Sequence, residues 1–116
     1  MVLKMMTTMK IDVLGTAYTI TEASHEEDKL LKTCDGYCDK TTKRIVVLKL
    51  PDDNELGDFD VYQRKLLRHE IIHAFLIESG LQDNWTHEDG HDETYVDWIA
   101  TQFPKLQKAF EEAGAL

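Results

Sequence analysis

The hydrophobic positions change their period half-way along the chain. Between Lys10 and Thr21, the apolar residues Ile11, Val13, Tyr18 and Ile20 alternate with polar ones around Gly15. A period of two predicts strand: two short strands, or one bent strand with Gly15 at the turn. Residues 22–32 are charged and run into Leu30 and Leu31, which fits a short helix or a turn. Asp35-Gly36 is a turn signal. Residues 37–50 then read as a hairpin around Asp39-Lys40-Thr41-Thr42. It ends in the strand Ile45-Val46-Val47-Leu48-Lys49-Leu50, which Pro51 stops.

Beyond residue 58 the period becomes helical. Asp58 or Asp60 can cap a long helix through Ser79, with Leu66, Leu67, Ile71, Phe75 and Leu76 as its apolar positions and Gly80 as its stop. A polar loop over 81–91 carries Trp85, and a second helix is expected to start near Asp92. There Val96, Ile99, Ala100, Phe103, Leu106 and Phe110 recur at steps of three and four, which predicts a core-facing stripe. Pro104 is expected to kink that helix or split it. Strands first and helices second predict an α+β domain, a small antiparallel sheet followed by two helices. A chain of 116 residues fits one domain, with 1–9 a flexible end and 10–116 the folded unit.

The first of these helices holds His69-Glu70-Ile71-Ile72-His73, an HExxH motif. A spacing of four puts His69 and His73 on one face, one turn apart, where one Zn²⁺ can take both imidazoles. Glu70 is one position round, placed to act as a general base on water rather than as a ligand. A catalytic zinc site uses three protein ligands and keeps a position open. Glu93, twenty residues past His73 and in the first turn of the next helix, is a candidate for the third. His87 and His91, in the loop before it, are rival ligands. Asp97 follows Glu93 at i+4, so the two carboxylates share a face.

Composition narrows the partners. The net charge of −9 leaves no basic patch, which argues against direct nucleic-acid binding. Acidic groups at 51–60 and 83–93 would instead favour a basic peptide or protein. No apolar run approaches the ~20 residues of a membrane span, and the N-terminus is too interrupted for a signal peptide, so a cytoplasmic location is expected. Cys34 and Cys38 lack a second pair to complete a four-thiolate site and read as reduced thiols at a turn.

HExxH followed by Glu93-Thr94-Tyr95-Val96-Asp97 resembles the gluzincin branch of zinc metallopeptidases. The layout also resembles small phage and mobile-element proteins with an ImmA/IrrE-like minimal zincin domain. The matching stretches are Asp35-Gly36-Tyr37-Cys38-Asp39, the run from Leu67 to Leu76 with Glu78-Ser79-Gly80-Leu81, and Val96-Asp97-Trp98-Ile99-Ala100. The resemblance implies Glu93 as the third ligand of a single zinc and Asp97 as the hydrogen-bond partner of His69. It also implies a group that stabilises the oxyanion, for which Tyr37, Tyr62, Tyr95, His87 and His91 are all chemically able. The expected activity is hydrolysis of a peptide bond in a narrow protein substrate, which binds extended along a sheet edge near Ile45–Leu50 or its hairpin partner. The competing expectations are a zinc-binding interaction protein that cleaves nothing and an acidic mimic of nucleic acid.

Overall fold

The computed structural model describes residues 8–82 and 93–116. Its elements are β1 (Thr8–Val13), β2 (Thr16–Ala23), a 3-10 turn (Lys29–Lys32), β3 (Gly36–Asp39), β4 (Arg44–Leu48), α1 (Phe59–Glu78) and α2 (Glu93–Glu112). The class is α+β, as the change of period predicts. The first strand begins at Thr8, inside the segment expected to be loose.

The sheet is mixed rather than antiparallel, with order β1-β2-β4-β3. The hairpins β1–β2 and β3–β4 are antiparallel, but β2 pairs with β4 in parallel, Ile20 opposite Ile45 and Glu22 opposite Val47. Parallel pairing needs a crossover of a dozen or more residues. Residues 24–43, with the 3-10 turn and β3, provide one. At the first hairpin both turn residues, Leu14 (φ 52°) and Gly15 (φ 92°), have positive φ, as a two-residue type I′ turn requires.

β4 lies between β2 and β3, and Ile45, Val46, Val47 and Leu48 are all buried. Its alternate residues feed two clusters. Ile45 and Val47 join Val13, Tyr18, Ile20 and Ala74, against Leu66, Leu67 and Ile71 of α1. Val46 and Leu48 join Leu31 of the 3-10 turn and Phe59 at the start of α1. This explains why the strand reads as a continuous apolar run: both of its faces are covered.

Helix α1 starts where the capping signal places it. The Asp58 side chain accepts from the Val61 N–H at 3.2 Å, and Gly80 follows the Ser79 C-cap with φ 81°. Of the kink or split expected at Pro104, helix α2 shows no split: it runs through as one element. Its apolar stripe is also only half used: Val96 and Ala100 are buried, whereas Ile99, Phe103 and Phe110 are 37%, 45% and 45% exposed. Beyond Ala100, Leu106 is partly covered and no stripe residue is buried. No helix of the described residues is long and apolar enough to cross a membrane.

Candidate metal centre

Helix α1 packs with its His69 and His73 face toward the first turn of α2. Pairings between the helices run in opposite directions, Lys65 with Asp97 and His73 with Glu93. This antiparallel arrangement brings the twenty-residue sequence gap back to one point. His69 Nε2 lies 3.0 Å from Glu93 Oε1, His73 Nε2 lies 3.1 Å from the same oxygen, and the two Nε2 atoms are 3.1 Å apart. Among the described residues this is the one group of His, Cys and carboxylate side chains spaced to hold a metal ion. Tetrahedral ligands ~2.1 Å from an ion lie ~3.4 Å apart, so a small outward adjustment would seat one.

Asp97 stands where an orienting partner of His69 is needed. Its Oδ1 is 3.4 Å from His69 Nδ1 and 2.8 Å from Lys65 Nζ. The Lys65 ammonium, with His69 adding to it, holds this carboxyl below its ordinary range. A ring proton on Nδ1 toward Asp97 leaves a lone pair on Nε2, facing the Glu93 carboxylate and the second imidazole. A cation among the three atoms converts that meeting of lone pairs into coordination. The donor set of two imidazoles and a carboxylate suits zinc.

Glu70 is the group that most departs from a surface residue. It is 6% exposed, the one charged side chain buried among the described residues. Burial, then the nearby charge of Glu93, pushes its carboxyl up to about 7. Among the described residues no donor hydrogen-bonds to it. The backbone of β3 sits against it: a Cβ on Gly36 would come within 3.4 Å of Glu70 Oε2 and 3.3 Å of the Val46 carbonyl. Glycine allows this close approach, and its φ is not positive.

His69, Glu70, His73 and Glu93 line a cleft of about 810 Å³ that β3 walls on the other side with Gly36, Tyr37, Cys38 and Asp39. A second hollow of about 400 Å³ lies on the Asp97 side of His69 and Glu70, reaching Cys34, Asp35 and Tyr62. Of the three tyrosines chemically able to serve as oxyanion partners, two are hydrogen-bonded elsewhere. The Tyr37 hydroxyl donates to Asp28 and accepts from Arg44 at 3.1 Å, although its ring lines the cleft. Tyr62 donates to Asp35, where burial and that bond push it up to about 12. Tyr95 is 63% exposed and lines neither hollow. His87 and His91 lie outside the described residues. Cys34 and Cys38 are both free thiols, with Cys38 pushed up to about 12, chiefly by burial.

Three contributors escaped the sequence reading: Lys65, which braces Asp97, Gly36, which admits Glu70, and Gln82. The last lines the cleft with a buried Oε1 that has no hydrogen-bond partner. Only Gly36 carried a usable signal, as the glycine of a turn preceding a strand. No protein-family model matches the chain, and neither a curated protein nor a solved structure does.

Proposed function

We propose that this protein is a zinc-dependent peptide hydrolase of the gluzincin type, with one ion held by His69, His73 and Glu93. The observation that carries the reading is Glu70: a buried carboxylate with no hydrogen-bond partner among the described residues, in the wall of a cleft beside a convergent His-His-Glu group. Burying such a group without a partner costs stability, so its retention asks for a use. A divalent ion at the three ligands supplies Lewis acidity, polarising a carbonyl and acidifying water. Glu70, with its carboxyl near neutrality, can take a proton from the attacking water and return it to the leaving amine. Asp97 holds His69 in the tautomer that presents Nε2.

Strand β3 is an edge of the sheet and a wall of the cleft, so an extended peptide can pair with it beside Glu70. The substrate class follows from that edge: an unfolded or looped protein segment. By analogy with the ImmA/IrrE-like proteins that the motif resembles, a regulatory protein is the proposed substrate. A second reading, metal held and nothing cleaved, draws on the exposed Tyr95, Trp98 and Phe103 of α2 as a contact face.

Metal analysis of purified protein tests the proposal. One zinc per chain is expected in the wild type, and His73→Ala and Glu93→Ala should each weaken binding by more than the ~10–100-fold typical of losing an outer-shell partner. Folded wild-type protein that takes up no zinc at neutral pH would end the metal reading. Zinc-loaded protein that cleaves no peptide of a degenerate pool would favour the contact-face reading.

A further inference from the structure

The helix that brings in Glu93 contains a proline where a helix should lack one, and the defect is used. In α2 the carbonyl of Ala100 would accept from the N–H four residues on, which is Pro104 and has none. That carbonyl is buried on the α1 side, since Ala100 is fully buried, and an orphaned acceptor there would destabilise the fold. It is not orphaned. Arg68 Nε on α1 donates to Ala100 O at 2.6 Å. Arg68 is the residue next to His69, and Glu93, Asp97, Ala100 and Pro104 fall on one face of α2, at steps of four, three and four.

We infer that Arg68 and Pro104 form a latch that sets the height and rotation of α2, so that Glu93 reaches the two histidines. This rests on the metal-centre reading above. The site needs such a device. Glu93 is the first residue of α2, its side chain is 71% exposed, and Val96 and Ala100 are the buried contacts of this helix. Two small apolar contacts resist sliding poorly, and the Lys65–Asp97 ion pair beside them joins partly exposed side chains. A charged donor locked to one particular carbonyl sets a single register. Proline makes that carbonyl distinctive, because it removes the competing intrahelical donor. Arg68 is thus a positioning residue that touches no ligand atom.

The test is zinc affinity measured beside thermal stability for wild type, Arg68→Met and the double variant Arg68→Met/Pro104→Ala. Methionine keeps the apolar stem and drops the donor. In the double variant, the alanine that replaces Pro104 gives the Ala100 carbonyl an intrahelical partner, so the fold is repaired without restoring the tie to α1. Both variants are expected to bind zinc at least ten-fold more weakly than wild type, and the double variant to recover the melting temperature but not the affinity. Should Arg68→Met fail to fold, the double variant carries the measurement alone. Wild-type zinc affinity in either folded variant overturns the inference while leaving the metal centre standing. A wild type that binds no zinc overturns both.

Discussion

Helix α1 carries two glutamates, eight residues apart, that reach the sheet side of the molecule and meet opposite fates. Glu78 is surrounded by donors: Thr16 Oγ1 at 3.0 Å, the Tyr18 hydroxyl at 2.6 Å and Lys43 Nζ at 2.7 Å. Those bonds, the Lys43 one first, hold its carboxyl down at about 2. Glu70 has no donor among the described residues, and burial pushes it up to about 7. The first carboxylate ties the C-terminal end of α1 to the β1–β2 hairpin and to the turn before β4. The second stands in a cleft wall with no such tie. The same side chain on the same helix is a strut or a candidate catalyst according to whether its desolvation is compensated.

The largest effect should come from Glu70→Gln. Turnover of any peptide the wild type cleaves should fall by ~10²–10⁴-fold while zinc stoichiometry is unchanged. Stability should move the other way, and with pH. A carboxyl raised from 4.5 to about 7 binds its proton more tightly folded than unfolded, so the cost of ionising it is absent below about pH 4.5 and complete above about pH 7. In metal-free protein, Glu70→Gln should therefore match wild type near pH 4 and exceed it by up to about 3 kcal/mol at pH 8. Denaturant melts at the two pH values check this, and equal stability at both would mean Glu70 is compensated after all.

Glu78→Gln is the mirror experiment and should be smaller. It should leave zinc binding intact and lower the melting temperature at neutral pH by several degrees. A carboxyl lowered from 4.5 to about 2 contributes stability that is present above about pH 4.5 and lost as pH falls toward 2. The variant's acid-unfolding limb should accordingly be flatter over that window. If Glu78→Gln instead abolished zinc binding with the fold intact, the division of labour between the two glutamates would fail.

What could be read from the sequence follows the range of the interactions. His69, Glu70 and His73 lie within one helical turn, and the approach of Glu93 needs only a second helix and a loop. Helical period and capping residues report such local facts directly. The Asp58 cap and the Gly80 stop were legible for the same reason. The parallel β2–β4 pairing was not, because a crossover leaves no mark in either strand's pattern. The sequence could not choose among the tyrosines, because a hydroxyl's chemistry shows in it but its partner does not: Asp28 and Asp35, which take Tyr37 and Tyr62, come from turns that no periodicity locates. Pro104 is the sharpest case. The lost donor is written in the chain, whereas the replacement arrives from Arg68, thirty-two residues before the Ala100 carbonyl that it serves.

The smallest perturbation bears on how Glu70 is held apart from donors. Gly36→Ala adds one methyl between the Val46 carbonyl and the Glu70 carboxylate, at 3.3 Å and 3.4 Å respectively. The φ of Gly36 is not positive, so alanine is tolerated by the backbone and gains up to about 1 kcal/mol through the unfolded chain. The contact must give by a few tenths of an ångström. The Glu70 side chain can move where the β4 backbone cannot, because Val46 is fixed in the sheet ladder opposite Tyr37. Net stability should thus change by less than about 1 kcal/mol, while turnover falls several-fold because the carboxylate is displaced from its line to the histidines. Metal affinity, set by groups the methyl does not reach, should hold. A Gly36→Ala protein with full turnover would mean that the placement of Glu70 is not critical. The contrast with Glu78 would then rest on desolvation alone.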